Sequence, residues 1–203
     1  EDWKGKEVNA QALRKAFGLA VSRGPLFAIV SRLVHQKGLD IALDAIEAIV
    51  RQGGQIVVTG KGESELERSL CQMANHYPGK LGVKIGYEEG TARQMLAGSD
   101  FLLMPSRFEP CGLTQMYAQR FGSLPVAHRT GGLADTIQDG VTGVLFGDCS
   151  LGAFLRAIYR SLDIYHSPRR LEAMRKAAMA RPCGWNDAAA DYTGVYSLTL
   201  KAA

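Results

Sequence analysis

Glu109 follows the apolar run Phe101-Leu102-Leu103-Met104 after a short polar stretch, and is itself followed by Pro110, Cys111, Gly112, Leu113 and Thr114. An ionised carboxylate only accepts hydrogen bonds, so it suits sugar hydroxyls. Pro110 fixes the direction of the chain and Gly112 lets another group approach the backbone closely. Thr114 and the N–H of Leu113 fall where a helix is expected to begin. A helix start offers unpaired N–H groups and a positive dipole end, which suit phosphate. Sugar grip and phosphate grip thus lie within about one helical turn, the chemistry of a nucleotide-sugar site. The blander reading is that Glu109 only complements the dipole and that Cys111 packs as a small hydrophobe. No base stands near Cys111 in sequence, so a nucleophilic thiol is not expected.

Two cations stand after an earlier apolar run, Arg32 directly and Lys37 just before the next helical pattern. Arg offers a planar fork and Lys a point charge, and together they could neutralise a diphosphate; both could equally be solvated loop charges. Tyr87, in Gly86-Tyr87-Glu88-Glu89, could stack on a purine or pack on its own loop. Lys61-Gly62 and Arg129-Thr130-Gly131-Gly132 read as glycine turns, and no phosphate-loop or dinucleotide fingerprint occurs. His35, His76, His128 and His166 show no ligand spacing, so no metal site is expected; separately, no cofactor is expected.

The elements that must position these groups alternate regularly. Strands are expected at 27–30, 55–58, 82–85, 101–104, 124–127 and 143–146. Most lack polar alternation, as strands buried on both faces do. Helical periodicity fills 39–51, 63–76, 91–97 and 113–121. The pattern predicts an α/β fold, a doubly wound six-stranded parallel sheet, whose ligands sit beyond the carboxyl ends of the strands. Residues 150–165, 168–180 and 186–200 read as a helical C-terminal tail, so that 1–203 form one domain.

Composition narrows the classes. The 203 residues are 46% hydrophobic and 22% charged, enough for a full core. The net charge of +4 comes from scattered Lys and Arg with no long basic run, which argues against nucleic acid. Cys71, Cys111, Cys149 and Cys183 show no paired spacing and read as reduced thiols. No apolar stretch is long enough for a membrane span. The abrupt polar start, without Met, reads as a piece of something longer.

The strings Ser31-Arg32-Leu33-Val34-His35-Gln36-Lys37-Gly38-Leu39-Asp40, Ile85-Gly86-Tyr87, Ser106-Arg107-Phe108-Glu109-Pro110-Cys111-Gly112-Leu113-Thr114-Gln115 and Arg129-Thr130-Gly131-Gly132-Leu133-Ala134-Asp135-Thr136 resemble bacterial glycogen synthases and plant starch synthases. The likeness runs from about residue 9 to 200 and covers the C-terminal half of such enzymes. It implies a Rossmann-like domain of the two-domain GT-B architecture, and glucose transfer from ADP-glucose to the non-reducing end of an α-1,4-glucan with retention. It further implies that Arg32 and Lys37 hold the diphosphate, and that Tyr87 stacks on adenine. Glu109 would lie by the donor glucose, with Cys111 and Gly112 lining the sugar and Leu113 and Thr114 the phosphate. Where the wider superfamily often carries a second Glu eight residues after the first, Tyr117 stands, so no paired-carboxylate mechanism is expected. The segment from Gly140 to Ser150 is shorter than in several relatives of that family. The N-terminal acceptor domain of the family is missing from these residues. Location would be the bacterial cytoplasm, or a plastid in a plant. The rival readings are a non-catalytic nucleotide- or glucan-binding module and another GT-B sugar-nucleotide enzyme.

Overall fold

A computed structural model describes residues 3–201. Six parallel strands, β1 (Leu26–Val30), β2 (Gln55–Gly60), β3 (Leu81–Ile85), β4 (Phe101–Met104), β5 (Leu124–His128) and β6 (Val144–Phe146), form one sheet in the order β3-β2-β1-β4-β5-β6. All six fall where the apolar runs predict them. The order reverses between β1 and β4, which pair in register Phe27↔Phe101 and Ala28↔Leu102. The loops leaving these two strands diverge there, and a crevice opens between them.

Alternate residues of each strand enter different cores. Phe27, Ile29, Ile56, Val58, Phe101, Leu103, Leu124 and Val126 join α2 (Leu39–Arg51), α3 (Ser64–His76) and α7 (Leu151–Tyr165) on one face. Leu26, Ala28, Val57 and Leu102 join α1 (Lys4–Ala16), α4 (Glu89–Gly98) and α5 (Thr114–Arg120) on the other. Ala127 and Leu145 meet Leu133 of the short α6 (Gly131–Thr136). Burial on both sides is why polar alternation is missing from the sequence.

Local chemistry sets the helix limits. α2 buries Leu39, Ala42, Ala45, Ile46 and Ile49 at three- and four-residue steps and is followed by Gly53 at φ +77°. Ser150 caps α7 by accepting from Ala153 N–H, and Pro168 opens α8 (Pro168–Met179).

Three expectations need correction. The polar start contains α1, whose Ala10 and Leu13 are buried at helical spacing with Phe17 buried at its C-cap. The glycine turn at 131–132 is the first turn of α6. Residues 150–203 are not a tail throughout: α7 buries Phe154 and Ile158 against the sheet, and α8 buries Leu171 and Met174. Only α9 (Trp185–Lys201) has that character, with Tyr192, Val195, Tyr196, Leu198 and Leu200 all exposed.

Candidate functional site

Two loops build the cleft at the reversal point. After β1 the chain passes Ser31 and Arg32 into a single 3-10 turn, His35–Lys37, and reaches α2 through Gly38. Gly38 has φ +67°, and a Cβ there would stand 2.0 Å from Pro105 O, so only glycine lets this loop close on the one after β4. The second loop is sewn to the first. Arg107 donates from Nη1 and Nη2 to Asp40 Oδ1 (2.8 Å) and Oδ2 (2.6 Å), and also to His35 O (2.7 Å). Arg107 N–H donates to Gln36 O (2.9 Å), and Gln36 Nε2 to Phe108 O (3.0 Å).

The fork holds the Asp40 carboxyl below the usual carboxylate range. Its folded value is depressed, so the stabilisation is present above the unfolded value near pH 4 and is lost as pH falls through the folded one. Both side chains are partly exposed, which limits the size of the effect. Acid titration followed by circular dichroism should therefore show a steeper loss of stability below about pH 4 in the native chain than in Asp40→Asn.

Inside the stitching, Lys37 Nζ donates to Glu109 Oε2, with side-chain exposures of 17% and 9%. Ser106 Oγ makes a longer contact to the same oxygen, 3.4 Å. His128 holds the backbone below them, with Nδ1 at 2.8 Å from Ser106 O and Nε2 at 3.1 Å from Gly147 O. Arg32 is exposed and donates to Gln36 Oε1 (2.9 Å), leaving the rest of its fork toward solvent.

Arg32, Lys37, Glu109, Gly112, Leu113 and Thr114 line one cleft of about 290 Å³. An adjoining cleft of about 530 Å³ shares Arg32 and Thr114 and continues along Tyr87, Tyr117 and Phe121. Tyr87 is 71% exposed and its ring stacks on no other aromatic ring among the described residues. The cysteine is the exception among the expected residues. Cys111 is exposed and lines neither cleft, its Sγ lying 3.6 Å from Gly112 O. α5 also begins one residue later than expected and is only seven residues long, so its dipole is small. The N–H groups of Gly112, Leu113 and Thr114 have no acceptor among the described residues.

A second cavity, about 550 Å³, lies at the opposite end of the sheet beneath α1 and α8. Three of its four cations, Lys6, Arg14 and Arg175, are occupied. Arg175 binds Asp100, Arg14 donates to Gln55 Oε1 and Gly24 O, and Lys6 faces the carbonyls of Ala97 and Phe121. Burial and the Arg175 charge push the Lys6 ammonium down to about 7. Converging unpaired donors, rather than volume, single out the cleft at the reversal point.

Residue types and spacing do not reveal Ser106, Arg107 or Gln115 as parts of the site, although all three stand in the motif around Glu109. Their roles follow from contacts across the fold, and a polar residue beside a helix start carries no such signal alone. Among the described residues there is no cluster of potential metal ligands and no helix long and apolar enough to cross a membrane.

A 3-2-1-4-5-6 parallel sheet with a cation-lined cleft at its reversal point defines a Rossmann-like domain. The chain belongs to the glycosyl transferases group 1, which residues 12–180 match. It is 57% identical over 201 residues to a glycogen synthase of Xanthomonas euvesicatoria pv. vesicatoria, covering 99% of this chain and 40% of that protein. A glycogen synthase of Pseudomonas syringae pv. syringae is 54% identical over 200 residues, covering 98% and 41%. The chain thus spans about two-fifths of the length of these curated relatives. Among solved structures, the catalytic domain of starch synthase IV from Arabidopsis thaliana, bound to ADP and acarbose, superposes with TM-score 0.89 at 32% identity. That superposition covers 98% of this chain and 44% of that one. A sucrose-phosphate synthase from Thermosynechococcus elongatus, at 21% identity and TM-score 0.73 over 95% and 49% of the two chains, shares the fold. The resemblance to glycogen and starch synthases, and the GT-B type of domain, are borne out.

Proposed function

We propose that this chain is the donor-nucleotide domain of an ADP-glucose-dependent glucan synthase. The observation that carries the reading is the convergence of Arg32, Lys37, Glu109 and the free amides of residues 112–114 on one cleft. The starch synthase relative was solved with ADP, which supports an adenine nucleotide here. In the reaction, the bond between the anomeric carbon and the β-phosphate oxygen breaks, and a bond to the 4-hydroxyl oxygen of an α-1,4-glucan forms with retention. The acceptor hydroxyl loses its proton and ADP leaves. Negative charge grows on the departing diphosphate, so Lys37, Arg32 and the loop amides act most strongly in the transition state. Glu109 orients the donor glucose through its hydroxyls and, paired with Lys37, fixes the ammonium at the phosphate. Tyr117 leaves no second carboxylate at the position eight residues on. No cofactor or metal is assigned, and the proposed location is the bacterial cytoplasm or, in a plant, a plastid.

The acceptor face belongs to an N-terminal domain outside this chain. Two observations support that: the chain spans about two-fifths of its relatives, and α9 leaves Tyr192, Val195, Tyr196, Leu198 and Leu200 largely exposed. Without the second face, water is not excluded and the acceptor is not held. The purified chain is therefore expected to bind ADP and ADP-glucose but to incorporate almost no labelled glucose into glycogen. Robust incorporation would contradict this division of labour.

Calorimetry comparing ADP, UDP and ADP-glucose tests the donor reading; ADP binding stronger than UDP is the expected order. Tyr87 supplies a further check. Because it is mostly exposed, Tyr87→Ala should leave thermal stability within about 0.5 kcal/mol. The same change should weaken ADP by about 1 to 3 kcal/mol if its ring carries the adenine. Equal affinities for ribose diphosphate and ADP in the native chain would remove the adenine platform.

A further inference from the structure

Gln115, the second residue of α5, is wholly buried and touches neither cleft. Its Nε2 donates to Gly112 O (2.8 Å), Cys111 O (3.2 Å) and Thr136 Oγ1 (3.1 Å). Thr136 Oγ1 in turn donates to Gly132 O, and Gly132 N–H donates to Glu109 O (2.9 Å). The orientation of the amide is dictated by these neighbours, since turning it over would set Oε1 against two carbonyl oxygens. In the orientation present, Oε1 has no partner although it is buried, and a Cβ added at Gly112 would meet it at 2.6 Å. A buried acceptor left unsatisfied is costly. The chain accepts that cost for what the other end of the side chain does.

In a trans peptide the carbonyl of one residue and the N–H of the next point in opposite directions. Holding the carbonyls of Cys111 and Gly112 toward Gln115 Nε2 therefore turns the N–H groups of Gly112 and Leu113 away from that amide. Both residues line the cleft, which Gln115 does not, and both N–H groups lack an acceptor among the described residues. We infer that Gln115 is a positioning residue for the donor diphosphate: without touching the ligand, it fixes which way the 111–112 and 112–113 peptides face. Thr136 is its anchor on α6. This rests on the donor reading above and adds to it the device that aims the amides.

The test combines calorimetry with amide NMR on the 203-residue chain. Gln115→Met keeps the volume and removes the donors. ADP should bind about tenfold more weakly, and the Gly112 and Leu113 amide resonances should move in the nucleotide-free chain. Thr136→Val, which removes the anchor and its bond to Gly132 O but leaves both carbonyl contacts of Gln115, should give a smaller loss, and the double variant should be no weaker than Gln115→Met. If Gln115→Met does not fold, Thr136→Val carries the test through the same two resonances. A residue that only filled the core would lower the melting temperature while leaving ADP affinity and these resonances unchanged, and that result overturns the inference. ADP binding by the native chain with equal binding by the variants overturns it alone; no ADP binding by the native chain overturns the donor reading and this inference with it.

Discussion

Lys37→Ala is expected to lower folding stability by about 3 kcal/mol and, separately, to weaken ADP by roughly ten- to a hundredfold. The first effect comes from Glu109. Its carboxylate is almost fully buried and, once Lys37 is gone, keeps only the 3.4 Å contact from Ser106 Oγ. Removing one member of a buried pair strands the other charge, which costs far more than the intact pair contributes. The second effect comes from losing the point charge at the diphosphate, made worse by an unneutralised carboxylate beside it. A double variant separates the two. Lys37→Met with Glu109→Gln removes both charges at similar volume, so urea unfolding should show stability largely restored. Calorimetry on the same protein should show ADP affinity still low. If stability and affinity recover together, the loss in Lys37→Ala came from distortion, and the ammonium has no part in holding phosphate.

Gly132→Ala should be the most damaging single methyl in the site. A Cβ at that position would stand 1.9 Å from Cys111 O, and one at Gly131 would stand 2.2 Å from Glu109 O. Both obstacles are backbone, so no side-chain rotation relieves them. The Glu109–Cys111 loop must lift from α6 or α6 must leave the sheet, at about 3 kcal/mol or more. Lifting the loop also breaks the bond from Gly132 N–H to Glu109 O and draws Cys111 O away from Gln115. The expected result in a thermal melt with and without ADP is a lowered midpoint that ADP no longer raises. At Gly53, where a Cβ meets nothing but φ is +77°, alanine should lower the midpoint through backbone strain while ADP still raises it. Equal ADP stabilisation in Gly132→Ala and the native chain would detach α6 from the site.

Much of the architecture was legible because burial on both faces writes itself directly into sequence as unbroken apolar runs. Phe101-Leu102-Leu103-Met104 reads as a strand whichever way its side chains point, and the structure divides them between two cores. α1 was harder. Its buried Ala10 and Leu13 and the buried Phe17 at its C-cap are separated by Gln11, Ala12, Arg14, Lys15 and Ala16, and Arg14, which neutral pattern reading counts as surface, is itself buried. α6 was hidden by its two glycines, which are poor helix formers and are present because the loop above leaves no room for a Cβ. α7 was set apart from the sheet because no strand follows it, yet its apolar face covers β5 and β6.

The site follows the same division. Arg32, Lys37 and Glu109 could be picked out as cations and a carboxylate at strand ends, but their meeting depends on β1 and β4 being neighbours, which no local pattern states. Cys111 lies outside the cleft with its carbonyl turned to Gln115, a contact between α5 and its own preceding loop. Gln115 and Arg107 act through backbone carbonyls and through Asp40, so their importance lies in distance and direction rather than in residue type.

The most direct measurement is a crystal structure of the 203-residue chain grown with ADP. The account predicts the diphosphate in the cleft at the reversal point. Its oxygens should lie within hydrogen-bonding distance of Lys37 Nζ and the N–H groups of Gly112, Leu113 or Thr114, with adenine on the Tyr87 side. ADP lodged instead in the larger cavity beneath α1, against Arg14 or Arg23, with the cleft between β1 and β4 empty, would contradict it.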